Sequence, residues 1–211
     1  MILKATQLAF AYNDTTRFEL PDIELGPGEE LLVLGQSGSG KTTLLNILGG
    51  LLKPQKGEVT INGKSLYRLE GNSLDKFRGK HIGIVFQKPH LLTALSVVEN
   101  LQVANYFVGK DRSDLIEKNL EELGILDKKK AKVTTLSEGE AQRVSIARAL
   151  ANEPLVILAD EPTASLDDTN AEAVIRLLKA QAKRLGAALI VVTHDQRVKN
   201  HISNHLTIGK A

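Results

Sequence analysis

Short apolar runs alternate along this chain with longer stretches in which apolar residues recur at helical spacing. Four runs are apolar throughout: Leu31-Leu32-Val33-Leu34, Ile82-Gly83-Ile84-Val85-Phe86, Leu155-Val156-Ile157-Leu158-Ala159 and Ala188-Leu189-Ile190-Val191-Val192. A strand apolar on both faces must be covered on both, so the pattern predicts an α/β fold whose core is a mostly parallel sheet with helices against it. Leu44, Leu45, Ile47, Leu48 and Leu51 make one broad apolar helical face, and Val174, Leu177, Leu178 and Leu185 make another. The segment ahead of Leu31, and Gly57 to Leu66 with its Asn62-Gly63 turn, read instead as short antiparallel strands. Residues 88–150 are mostly helical and charge-rich. The expected organisation is one domain, 1–211, made of a core (1–87 and 151–211) that carries an antiparallel β subdomain, and an inserted helical subdomain (88–150).

Each apolar run ends in a polar or glycine-bearing segment: residues 35–43, Gln87-Lys88-Pro89, Asp160-Glu161-Pro162 and Thr193-His194-Asp195. Ligands of parallel sheets sit beyond the carboxyl ends of the strands, so these four segments are expected to converge on one site. The first of them, Gly35-Gln36-Ser37-Gly38-Ser39-Gly40-Lys41-Thr42 followed by Thr43, lies between a predicted strand and a predicted helix and matches the phosphate-binding loop at every required residue. Its glycines let successive backbone N–H groups turn inward, and the helix adds its positive end to the same anion site. Lys41 is then expected at the β- and γ-phosphates and the Thr42 hydroxyl on Mg²⁺. Such loops serve kinases, GTPases and ATP-driven motors alike, so the loop predicts a nucleotide without choosing the reaction.

Asp160 and Glu161 divide naturally between two tasks beside a phosphate site, Asp160 holding Mg²⁺ and Glu161 polarising the attacking water. His194, at the end of another buried run, could hydrogen-bond the γ-phosphate or that water. His201 and His205 have i, i+4 spacing, but no third ligand stands out and no metal is assigned to them.

The chain's 25% charged residues leave a formal charge of +2, too balanced for bulk nucleic-acid binding. Lys128-Lys129-Lys130 reads as a solvated surface. Cysteine is absent, which excludes disulfides, thiolate metal sites and thiol nucleophiles. No run approaches the ~18 apolar residues of a membrane-spanning helix, and the N-terminus lacks a secretory signal, so a cytoplasmic location is expected.

Leu136-Ser137-Glu138-Gly139-Glu140-Ala141-Gln142-Arg143 precedes an alanine-rich helical pattern and the acidic run. With the phosphate loop it resembles the ABC ATPase family, a P-loop NTPase (RecA-like) group whose signature reads Leu-Ser-Gly-Gly-Gln. The resemblance extends over nearly the whole chain and implies further roles. Tyr12 is similar to the aromatic that stacks on adenine, Gln87 to the glutamine that senses Mg²⁺ and links to the membrane subunit, Ser165-Leu166-Asp167 to the loop that crosses the dimer interface, and His194 to the switch histidine. It also implies two copies packed head to tail, each ATP lying between the phosphate loop of one and Ser137 and Gly139 of the other.

Two positions depart from the family pattern: Glu138 stands where the first signature glycine is usual, and Glu140 replaces Gln. Locally, Ser137 to Glu140 also reads as a helix capping box, with both acids suited to a positive helix end. Glu138 is expected to point outward and to weaken the closed, ATP-bound pair by like-charge repulsion.

The resemblance thus implies the ATP-hydrolysing motor of a transporter, peripheral at the inner face of the cell membrane and driving a separate integral permease. Phe86 to Leu92, followed by Leu95 to Asn100, resembles the lipoprotein-release, macrolide-export and cell-division group, implying export or mechanical transmission. A solute-import motor and a non-transport relative acting on nucleic acid are the alternatives. Import motors often carry a regulatory domain after the switch histidine, and only a short stretch follows His194. Nucleic-acid relatives split the two motifs with a long coiled coil, whereas no sustained heptads lie between Thr42 and Leu136, so no nucleic-acid partner is expected. A P-loop kinase would leave the signature unexplained.

Overall fold

The computed structural model describes residues 1–12, 17–106, 113–164 and 166–209. In chain order its first half holds β1 (Leu3–Ala11), β2 (Arg17–Glu19), β3 (Ile23–Leu25), β4 (Glu30–Leu34), α1 (Lys41–Leu48), β5 (Lys56–Ile61), β6 (Lys64–Ser65), α2 (Asn72–His81) and β7 (Ile82–Val85). There follow α3 (Val97–Tyr106), α4 (Ser113–Glu122), α5 (Glu138–Leu150), β8 (Val156–Asp160), α6 (Asp168–Leu185), β9 (Ala188–Thr193) and β10 (His205–Thr207). One sheet, with the order β10-β4-β9-β8-β7, is parallel throughout. The other is antiparallel, with the order β2-β1-β5-β6 and β3 paired to β1.

The four apolar runs are four of the five parallel strands, and their alternate residues serve two separate cores. Leu32, Leu34, Val85, Ile157, Ala159, Leu189 and Val191 face one side, where Leu101, Ile116, Leu120, Val144, Leu150, Val174 and Leu178 of α3 to α6 cover them. Leu31, Val33, Ile82, Val156, Leu158, Ala188, Ile190 and Val192 face the other, against Leu44, Leu45, Ile47 and Leu48 of α1 and against Leu3, Ala5, Val59 and Ile61 of the antiparallel sheet. Burial on both faces explains why these strands do not alternate, and at fully buried positions such as Leu158 truncation to Ala costs about 2–5 kcal/mol.

Strand and helix ends differ from the sequence reading by small amounts that matter. Asp160 and Thr193 are the last residues of β8 and β9, so the sheet itself carries them. Leu51 falls beyond α1 and is 43% exposed. The helix stops at Gly49, whose N–H reaches back to Leu45, and Gly50 follows at φ 67°, so helical periodicity no longer governs Leu51. The lysine run is a charged surface with partners of its own: Lys128 pairs with Glu140 at 3.2 Å, and Lys129 pairs with Glu117.

Candidate functional site

From the end of β4 the chain turns through residues 35–40 into α1. Gly38 and Gly40 take φ of 78° and 93°, in the left-handed region that favours glycine, and a Cβ on Gly40 would lie 2.6 Å from the Phe18 ring. A Cβ on Gly35 would lie 2.4 Å from Ser39 Oγ and 2.7 Å from the Ile208 carbonyl oxygen, so the loop closes tightly against the segment after β10. Helix α1 begins without a side-chain cap and without an acidic residue in its first turn. Its leading N–H groups and dipole are therefore offered to an anion. The Lys41 ammonium, almost buried, is curled over its own loop and donates to the carbonyls of Gly35 (2.8 Å) and Gln36 (3.0 Å).

The ends of β8 and β9 lie side by side, Asp160 in register with Val192. Glu161 follows at φ 45°, a conformation costing a β-carbon residue roughly 1–2 kcal/mol, with its N–H held by the Val192 carbonyl at 2.8 Å. This turn aims the Glu161 carboxylate back across the strand ends. It accepts from the Thr193 hydroxyl (2.6 Å), from His194 Nδ1 (2.9 Å) and from the His194 backbone N–H (3.2 Å), with Lys41 Nζ at 3.7 Å. A carboxylate oxygen accepts, so the ring hydrogen is assigned to Nδ1 and Nε2 is left for another partner. Burial pushes the Asp160 carboxyl above its ordinary range and the charge of Glu161 adds to this, while the Thr42 hydroxyl at 3.4 Å and Lys41 oppose it.

Further out, Asp195 accepts from the Thr163 hydroxyl (2.9 Å) and from Arg197 (2.8 Å), whose guanidinium also pairs with Asp168 at the start of α6. Hydrogen bonds from Arg197 hold the Asp195 carboxyl below the usual carboxylate range.

Tyr12, Phe18, Ser37, Gly38, Gly40, Lys41, Thr42, Thr43, Gln87, Glu161 and His194 line one open concavity of about 510 Å³. Tyr12 stands at its rim, 59% exposed, its hydroxyl 3.1 Å from Thr43 Oγ1 and its ring edge-on to Phe10 and Phe18. Gly35, Gln36 and Ser39 line the neighbouring cavity, which shares His194 with the first. Three of the four converging segments therefore meet there through Lys41, Glu161 and His194, and the fourth contributes Gln87. The Gln87 segment is tied to α5 by Arg148, which donates to the carbonyls of Pro89 and His90 at 2.8 Å each.

The ABC transporter family profile matches residues 19–164, which take in the phosphate loop, Gln87, the signature segment and the acidic strand end. The chain belongs to the ABC transporter family. It is an ATP-hydrolysing cassette of that family. It is 40% identical to the lipoprotein-releasing system ATP-binding protein LolD of Shewanella sp. (strain MR-7), over 89% of this chain and 82% of that protein. It is 43% identical to the macrolide export ATP-binding/permease protein MacB of Shewanella oneidensis, over 89% of this chain but only 29% of that longer protein. In structure it is similar to the ATP-binding cassette MJ0796, solved as a dimer in a post-hydrolysis state bound to ADP and Pi, with a TM-score of 0.87 and 33% identity over 98% of this chain and 94% of that one.

In this ABC cassette Ser137 and Gly139 do not line the concavity. They head α5, where Ser137 Oγ accepts from the Glu140 N–H (3.3 Å) and the Glu140 carboxylate accepts from the Ser137 N–H (2.8 Å), the capping box expected of the sequence. A Cβ on Gly139 would meet nothing nearer than Asn170 Oδ1 at 3.9 Å. Glu138 is exposed. Of the loop 165–167, Ser165 lies outside the described residues and Asp167 caps α6 by accepting from the Asn170 N–H at 2.9 Å. Sequence reasoning passed over Phe18 and, although it placed Thr193 in a converging segment, gave that residue no role of its own. Phe18 reaches the site through the pairing of β2 with β1, a contact with no local signal, whereas a hydroxyl closing an all-apolar strand was one.

Proposed function

We propose that this chain is the motor of an export or mechanotransmission transporter, in which two copies close head to tail around two ATP molecules and drive a membrane permease carried on a separate chain. The observation that carries the catalytic part is the Glu161 carboxylate, 11% exposed at the strand ends, 3.7 Å from the phosphate-loop lysine and hydrogen-bonded to His194. Adenine stacks on Tyr12, and Phe18 widens that platform. The phosphates take backbone N–H groups of the loop and of the head of α1, which carries no side-chain cap, and the Lys41 ammonium exchanges its two carbonyl partners for phosphate oxygens. Among the described residues no three His, Asp or Glu side chains gather to hold a metal; one buried carboxylate and one hydroxyl, Asp160 and Thr42, suit a Mg²⁺ ion that keeps waters and phosphate oxygens as its other ligands. Bound there, with Gln87 at the edge, Mg²⁺ would neutralise charge on the β- and γ-phosphates. Glu161 polarises the attacking water, and His194 turns Nε2 toward the γ-phosphate.

The second copy is supported by two observations. Gly139, the second residue of α5, is not in the left-handed region, and among the described residues no neighbour comes nearer than 3.9 Å to a Cβ placed there, so a close approach from outside the chain accounts for a glycine at that position. The MJ0796 cassette is itself solved as a dimer. A permease partner is supported by LolD, an ATP-binding protein of nearly this length, and by MacB, in which the matching part is less than a third of an ATP-binding/permease protein. No described helix is long and apolar enough to cross a membrane. A place at the inner face of the membrane follows from that partner.

The test is Glu161→Gln. Hydrolysis should fall by roughly 10²–10⁴-fold with ATP binding retained, and ATP should now hold the protein at twice the monomer mass. An unchanged rate removes Glu161 from the role, and a monomer with ATP bound removes the pair.

A further inference from the structure

Among the described residues, four polar groups approach the Glu161 carboxylate, and they differ in how firmly each is held. His194 contributes its ring, but that side chain is 64% exposed. Lys41 is 3.7 Å away and already engaged with two carbonyls, and a phosphate would take it further. The His194 N–H is long at 3.2 Å. Thr193 is different: it is fully buried at the end of β9, and its hydroxyl lies 2.6 Å from Glu161 Oε2.

The direction of that hydrogen bond is fixed by a second one. The Asp195 N–H donates to Thr193 Oγ1 at 2.9 Å, so the hydroxyl accepts there and gives its own hydrogen to the carboxylate. Asp195 cannot easily turn away. Its carboxylate is gripped by Arg197 through both oxygens and by the Thr163 hydroxyl, and Arg197 is anchored in turn on Asp168. Packing does not ask for a hydroxyl at 193, because the two residues before it, Val191 and Val192, are equally buried and a valine would fill the same volume. A hydroxyl in that place is there for its hydrogen bonds.

We infer that Thr193 is a positioning residue for hydrolysis: its hydroxyl, oriented by the Asp195 backbone, keeps the Glu161 carboxylate aimed at the attacking water after nucleotide has drawn Lys41 and His194 toward the phosphates. The inference rests on Glu161 being the base. It is distinct from the role of His194, since His194 lines the concavity and the buried Thr193 does not.

The near-isosteric variant Thr193→Val tests it. With the hydrogen bond to a carboxylate gone, kcat for ATP should fall roughly 10-fold while KM and ATP affinity stay within about twofold, and Thr193→Ser should recover most of the rate. In single-turnover hydrolysis, adding Thr193→Val to Glu161→Gln should cost less than about twofold, because the group it positions is already lost. Should the valine protein not fold, Thr193→Ala against Thr193→Ser gives the same comparison. A normal kcat in the valine or alanine variant, a serine variant as slow as it, or a full additional loss in the Glu161→Gln background each overturns the inference. If Glu161→Gln itself hydrolyses normally, the assignment of the base has failed instead.

Discussion

Glu138 and Gly139 stand side by side at the head of α5 and make opposite demands. The glycine leaves that surface bare, while the glutamate before it is exposed and carries a charge, which the pairing proposed above would bring toward the ATP of the second copy. Within one chain Glu138 is favourable, since an acid in the first turn of a helix gains about 0.3–1 kcal/mol from the dipole. In the proposed head-to-tail pair it would not be. Glu138→Gly should therefore move two measurements in opposite directions: a slightly lower melting temperature, and ATP-dependent pairing tighter by a few-fold at low salt, the difference fading near 1 M salt. Equal pairing at low salt would mean that the charge points clear of the interface. At this scale the sequence was most informative where chemistry is local. The phosphate loop and the adjacent pair Asp160-Glu161 could each be read from neighbours in sequence, whereas the switch role of His194 came with the family resemblance. Thr193 could not be read as a partner of Glu161, because that contact comes from pairing β8 with β9, and Phe18 likewise depends on β2 finding β1.

Helix heads show how elements are kept in place around the site. Helix α1 is left uncapped toward the phosphate position, whereas α5 is closed by Ser137 and Glu140 and α6 by Asp167. The carboxylates in these devices, and Asp195 in the turn after β9, lie below their ordinary values. The causes are the Ser137 N–H for Glu140, the Asn170 N–H for Asp167 and the Arg197 guanidinium for Asp195. A carboxylate depressed in the fold stabilises it above the unfolded-state value, near 3.8 for Asp, and that contribution is lost as pH falls through the folded value. The melting-temperature gap between the natural protein and Asp195→Asn should thus be widest above about pH 5 and narrow as pH falls below the unfolded-state value of 3.8. A gap independent of pH would assign the loss to packing. Elements were legible in proportion to their apolar burial. The four apolar strands stood out, but α2, with Phe77 as its buried residue, and β10, short and largely exposed, carried too little pattern to be seen.

On the scale of the whole molecule, the sequence pointed to a parallel sheet but could not order it, since β10-β4-β9-β8-β7 is decided by helices crossing over the sheet. That order puts β4, β9 and β8 side by side in the interior of the sheet. The phosphate loop, the switch segment and the acidic pair hang from the ends of those same three strands. Each strand is enclosed by a separate apolar core on either face. Solvent can reach their amides only by opening both cores at once, which is equivalent to unfolding the domain. Amide hydrogens of residues 31–34, 156–159 and 189–192 should accordingly exchange with deuterium last, at rates set by global stability, while those of the adjoining 36–39 and 194–197 exchange early by local opening. The turns proposed to carry the catalytic groups are thus mounted on the part of the chain expected to let go last, and a nucleotide that slows exchange in the turns should leave the strands behind them almost untouched.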